Sequence, residues 1–84
     1  MIYLVGLTRP AQKELSDLPA ESYRRVKAAI AGLATNPRPP GAGKLNGREG
    51  WRIRVGDYRI LYLVNDDAHS VTVIRIRHRR EVYR

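Results

Sequence analysis

Trp51-Arg-Ile-Arg-Val-Gly-Asp-Tyr-Arg-Ile-Leu-Tyr62 is the stretch that decides the fold. Apolar and basic residues alternate on both sides of Gly56-Asp57, the pattern of half-buried strands. A Gly-Asp pair between two such runs predicts a two-residue β-hairpin, because glycine supplies the positive φ that opens a II′ turn. The turn sets the register: Val55 faces Tyr58, Arg54 faces Arg59 and Trp51 faces Tyr62. Side chains alternate across a strand, so Trp51, Ile53, Val55, Tyr58, Ile60 and Tyr62 share a face suited to a core. Arg52, Arg54, Arg59 and Leu61 share the other. Like charges directly opposite each other cost about 0.2–1 kcal/mol. The arginine cluster therefore predicts an anion on that face.

The bulk properties agree. The chain has 84 residues, enough for one small domain with one core, and residues 1–84 are expected to form a single domain. Its formal charge is +8 and its pI about 10.6. Residues 1–37 carry a net +2 and residues 38–84 a net +6, an asymmetry that points to a polyanionic partner such as nucleic acid or an acidic protein segment. Thirteen of the sixteen basic residues are Arg, whose guanidinium fork suits bidentate phosphate contacts. There is no Cys, which excludes disulfides and thiolate zinc sites. His69 and His78 are too few for a metal site, so neither metal nor cofactor is expected. No segment approaches the roughly 18 apolar residues of a membrane span. Met1–Leu7 is too short for a signal peptide and lacks its basic start, so a soluble, cytoplasmic protein is expected.

Outward from the hairpin, Ile2–Leu7 reads as a first strand. Thr8 is an N-cap, with Pro10 tolerated in the first helical turn. Ala11, Leu15 and Leu18 form a narrow helical stripe that ends at Leu18-Pro19, where a second helix begins. Tyr23, Val26, Ile30 and Leu33 continue at helical spacing until Asn36-Pro37. Arg38–Gly50, rich in Pro and Gly, reads as a loop crossing to the sheet. Asn65–Ser70 is a second turn and Val71–Arg77 a further strand. Placing Ile74 and Ile76 in the core leaves Val71, Val73, Arg75, Arg77 and then Arg79 on the arginine face. The expected architecture is α+β, in the order β-α-α-β-β-β. A two-helix hairpin covers one face of a small antiparallel sheet, and the arginines occupy the other.

Trp51–Tyr62 followed by His78-Arg-Arg-Glu-Val-Tyr83 closely resembles the RelE toxins of the RelE/ParE superfamily. The loop from Asn36-Pro37 through Lys44, Leu45, Asn46 and Gly47 is similar to that family's too, and the likeness covers nearly the whole chain. The resemblance implies the toxin of a type II toxin–antitoxin module, a ribosome-dependent endoribonuclease that cuts mRNA in the decoding site. The ribose 2′-OH would be the nucleophile, leaving a cyclic phosphate and a free 5′-hydroxyl without a metal. A cognate antitoxin would occupy the basic and apolar face. By position, Arg52 and Arg54 match the paired basic residues of the first hairpin strand, and Arg59 the phosphate-clamping arginine of the second. Arg79 matches the basic residue after the last strand, and Tyr83 the tyrosine that stacks on and orients the substrate. Lys44, Arg48, Arg77 and Arg80 are the expected RNA-contacting rim. Leu61, Leu63, Val71 and Val73 are the expected antitoxin surface.

Well-studied members carry Lys where Arg52 and Arg54 stand. Arginine holds its proton above about pH 12, so these two are expected to stabilise charge rather than move protons. Tyr83 and His78, the latter with an ordinary pKa of about 6.5, are the candidate proton acceptors. The turn from Arg79 to Tyr83 is shorter than in some members, with no C-terminal helix expected to fix the tyrosine. Two other readings stay open. One is a ParE-type toxin of the same fold, which poisons DNA gyrase and does no RNA chemistry. The other, suggested by the missing lysines, is a catalytically weak module that binds nucleic acid or antitoxin.

Overall fold

The computed structural model describes residues 2–82. Its elements are β1 (Leu4–Leu7), α1 (Arg9–Ser16), α2 (Ala20–Gly32), β2 (Gly43–Lys44), β3 (Trp51–Val55), β4 (Tyr58–Asn65), β5 (Ser70–His78) and α3 (Arg79–Val82). Thr8 starts α1 as expected, its Oγ1 accepting the Ala11 N–H at 3.3 Å. Pro19 stops α1 from running on and caps α2. Ala11, Val26, Ile30 and Leu33 come from the helical side and close on Ile53, Ile60, Tyr62, Val71, Val73 and Ile76 of the sheet. Tyr62 is fully buried, and its hydroxyl donates to the Pro37 carbonyl at 2.7 Å. That bond avoids the roughly 1–3 kcal/mol cost of a buried hydroxyl without a partner, and it pins the chain leaving α2 to the sheet. Among the described residues no helix is long and apolar enough to cross a membrane.

The β3–β4 hairpin has the expected register, Val55↔Tyr58, Arg54↔Arg59 and Trp51↔Tyr62, and Gly56 takes φ +58. The sheet around it differs from expectation in three ways. Its strand order is β1-β5-β4-β3-β2, and β1 runs parallel to β5 (Leu4↔Ser70, Leu7↔Val73). The sheet is thus mixed rather than antiparallel. The helices carry the chain across to the far edge, and the meander of hairpins then returns β5 to the side of β1. Second, Gly43–Lys44 forms a two-residue edge strand inside the expected loop. Third, one helical turn, α3, follows β5, where no helix was expected.

The consequential difference lies within β5. Leu61 pairs with Arg75, but Tyr62 pairs with Val73, leaving Ile74 as an extra residue. Such a bulge reverses the inside–outside parity of the residues before it. Val71 and Val73 are accordingly buried, at 1% and 0% exposure, and Ile74 is only half-buried. The placement of Val71 and Val73 on the exposed face is therefore corrected. Thr72 stands opposite Leu63 in their stead.

Beyond Leu7 no other strand among the described residues lies beside this edge of β5, and side chains and backbone of the α1 region bond to it instead. The Thr8 N–H donates to the Val73 carbonyl at 2.9 Å, and its hydroxyl to the Ile74 carbonyl at 2.9 Å. Glu14 Oε1 accepts the Ile76 N–H at 2.8 Å. Helix α1 thus covers an edge that would otherwise present open backbone groups.

Candidate nucleic-acid interface

The outer face of the sheet is built by the hairpin and β5. Arg54 stands opposite Arg59, and Arg59 opposite Arg77, so three arginines form a row across β3, β4 and β5. The next row is Arg52, Leu61 and Arg75. At the end of the arginine row, the Arg79 N–H donates to the Asp57 carbonyl at 2.7 Å, which draws the start of α3 up to the hairpin turn. Arg79 Nη1 also lies 3.7 Å from Asp57 Oδ1, an exposed pair of small energetic weight. Arg54, Arg59 and Arg79, with Tyr58 and the Gly56-Asp57 turn, line an open cleft of about 260 Å3. Three of the expected catalytic arginines are thus assembled in one place.

The other candidates are distributed differently. Arg52 lies on the same face but leans toward the sheet edge, its Nη1 donating to the Lys44 carbonyl at 2.7 Å. A Cβ on Gly43 would sit 2.9 Å from that nitrogen, so a glycine at this position is what lets the guanidinium lie there. His78 pairs with Tyr58 in register, which puts it on the helix-facing side, away from Arg59 and Arg77. Its ring meets Tyr58 edge-on at 5.3 Å, and its Nδ1 accepts the Arg80 N–H at 3.2 Å. This geometry argues against His78 as the proton acceptor for chemistry on the arginine face. Arg80 is exposed in α3. Tyr83 lies outside the described residues.

Arg75, expected beside the cluster, is held from the other side. Its Nε and Nη2 donate to Glu14 Oε2 at 3.0 and 2.8 Å. Partial burial pushes the Glu14 carboxyl up, but the bonds from Arg75 and the Ile76 N–H outweigh it and hold the group below its ordinary value. Lys44 and Arg48 do not rim the arginine row either. Lys44 faces Trp51 across the β2–β3 pair, on the helix-facing side. Lys44, Arg48, Arg38, Glu49 and Trp51 line a second cleft of about 310 Å3. There Arg38 is clamped by Asp66 at 2.8 and 3.2 Å. The hydrogen bond from Arg38, helped by one from the Tyr3 hydroxyl, holds the Asp66 carboxyl down at about 2. Leu61 and Leu63 remain half-buried on the outer face, and exposed Leu4 of β1 lies on the same sheet.

A family model described as the ParE toxin of the type II toxin–antitoxin system parDE matches residues 5–83. The chain belongs to the RelE/ParE toxin superfamily. This RelE/ParE-family toxin is 33% identical to Toxin RelG of Mycobacterium tuberculosis, across 100% of this chain and 99% of that protein. It is 34% identical to Toxin RelE of the same organism, across 98% of this chain and 87% of that protein. Its fold superimposes on a chain of the archaeal RelE–RelB complex from Pyrococcus horikoshii with a TM-score of 0.83 at 30% identity. That match covers 94% of this chain and 97% of the other. The toxin has the family's α+β architecture, two helices against a mixed five-stranded sheet.

Two features of this RelE/ParE-family toxin lay beyond sequence reasoning. Glu14 binds both Arg75 and the β5 backbone from 61 and 62 residues away, and helical periodicity marks it only as polar. The pairing of Arg38 with Asp66 spans 28 residues, and nothing local in either segment announces it.

Proposed function

We propose that the chain is a ribosome-dependent endoribonuclease that cleaves mRNA, with the cleft of Arg54, Arg59 and Arg79 as the place where the scissile phosphate sits. The observation that carries this reading is the cross-strand row Arg54–Arg59–Arg77 with Arg79 closing one end. Attack of a ribose 2′-OH on the adjacent phosphate builds negative charge on a pentavalent centre. Guanidiniums fixed on neighbouring strands meet that charge without reorganising, and one well-placed donor of this kind is worth about 10²–10³-fold in rate. Arg59, central in the row, is the clamp. Arg54 and Arg79 bind the non-bridging oxygens from either side, and Arg77 and Arg80 extend the positive track. Arg52 stabilises charge from the edge through its fixed position over Gly43. Arginine does not accept the 2′-OH proton, so that role, worth roughly 10²–10⁴-fold, falls to Tyr83, which also stacks on the substrate. Cleavage then leaves a cyclic phosphate and a free 5′-hydroxyl. The toxin would act in the cytoplasm on translating ribosomes. A cognate antitoxin would neutralise it by covering the arginine row together with Leu61 and Leu63. Solved relatives described as RelE–RelB complexes support that partner.

A second reading is favoured by the description of the matching family model as ParE, and by arginine in place of both motif lysines. In it the same face binds DNA gyrase and no RNA is cut. Primer extension on a translated message after induction separates the two. New 5′ ends inside translated codons, lost with Arg59→Ala, support the nuclease. Growth arrest with intact message and trapped gyrase–DNA breaks overturns it.

A further inference from the structure

The second cleft differs in kind from the arginine row, because its centre is aromatic. Trp51 is half-buried, with the Arg38 guanidinium 5.1 Å and the Lys44 ammonium 5.8 Å from its ring centroid. Arg38 is anchored on Asp66 and its charge is matched. Lys44 is exposed, and its carbonyl rather than its ammonium is held by Arg52, so the ammonium is able to leave the indole for a phosphate. Arg48 and Glu49, also exposed, rise from the β2–β3 turn. Lys44 and Arg48 thus outnumber the one carboxylate not already paired with Arg38. An aromatic platform ringed by cations is what single-stranded nucleic acid requires, because every base offers a π-face and every linkage a negative charge. The cleft, at about 310 Å3, is at the lower end of the size of small-ligand pockets, which suits one nucleotide.

We propose that this cleft is a second single-stranded RNA site, where one base stacks on Trp51 and Lys44 and Arg48 hold the flanking phosphates. Strand β2 links it to the arginine face. Gly43 pairs with Arg52 on one side of the sheet, and Lys44 with Trp51 on the other. RNA rounding this two-residue edge strand therefore meets both surfaces. The inference requires RNA binding but no cleavage, so it stands or falls apart from the nuclease reading.

Trp51 is the only tryptophan of the chain, and its fluorescence reports on this cleft directly. The full chain carrying Arg59→Ala, to suppress cutting, is titrated with a short single-stranded RNA and separately with inorganic polyphosphate. Saturable quenching by RNA and not by polyphosphate is the expected result. The double variant Lys44→Ala/Arg48→Ala should bind labelled RNA about tenfold more weakly, with a shallower salt dependence. Trp51→Phe should retain binding where Trp51→Leu loses about tenfold, as loss of one stacked base predicts. Equal quenching by polyphosphate, or undiminished RNA affinity in the exposed Lys44/Arg48 double variant, overturns the proposal. If quenching occurs in a chain whose wild-type form leaves translated messages intact, the nuclease reading fails and this site stands.

Discussion

Arg38 and Arg75 contrast with the row of Arg54, Arg59 and Arg77 in what stands against them. Arg38 and Arg75 each meet a carboxylate at 2.8 Å, on Asp66 and Glu14, and each ties together segments far apart in sequence. In the row, the residue directly across the ladder from each arginine is another arginine. Two ion pairs that hold a fold do not explain a +8 chain. Three guanidiniums aligned against their mutual repulsion concentrate that charge on one face, as a surface for a polyanionic substrate or partner requires. The carboxylate-bound arginines join distant segments of the chain, whereas the row gathers positive charge on one face of the sheet.

The contrast breaks most visibly at Arg59. Arg59→Ala is expected to lower message cutting about 10²–10³-fold, with a smaller change in thermal midpoint than a variant that breaks the Glu14 bridge. A cutting defect accompanied by a large loss of stability would put Arg59 with the structural group. Glu14→Ala should do the reverse. It leaves the Ile76 N–H and Arg75 without this carboxylate, at a cost of about 1–3 kcal/mol. In a domain of this size each kcal/mol lowers the midpoint by roughly 4–8 °C. Differential scanning calorimetry on Glu14→Ala, with message cutting unchanged below the new midpoint, would sharpen the distinction.

The bulge at Ile74 offers a third test. Val73→Thr buries a hydroxyl and should cost about 1–3 kcal/mol, whereas Leu63→Thr on the outer face should leave stability nearly unchanged and weaken antitoxin capture. Equal destabilisation of the two would contradict the inward turn of Val73. The smallest effect concerns acid. Asp66 sits at about 2 in the fold, below an ordinary carboxyl. The stability it lends is therefore complete above that ordinary value and is lost as pH falls through about 2. Asp66→Asn should flatten this part of the acid limb, read by circular dichroism between neutral pH and pH 2. An unchanged acid profile would mean that the Arg38 clamp contributes nothing measurable.

Legibility followed locality. The hairpin was readable because its turn, alternation and register are all encoded within twelve consecutive residues, and Trp51 to Tyr62 paired as that stretch requires. Thr8 and Pro19 likewise act on their own neighbours. β5 was misread because alternation carries parity forward only until a residue is added, and Ile74 gives no local sign that it is the extra one. The same slip misplaced Val71 and Val73. Chemistry alone did not place His78: an imidazole suits proton transfer, but the register with Tyr58 directs this one to the helix-facing side.

What the sequence by itself determined is the first strand, the two longer helices, the three long strands, the arginine face of the hairpin and the family likeness, because these rest on short-range spacing and residue chemistry. Tertiary structure alone decided that β1 lies parallel beside β5, and that Glu14 closes the exposed edge of β5. It also decided that Arg79 is drawn up to the Asp57 turn, and that Lys44 and Arg48 gather around Trp51 rather than on the arginine face. Each of these depends on segments brought together by the closure of one core, and pairing across such distances leaves no periodic trace in the chain.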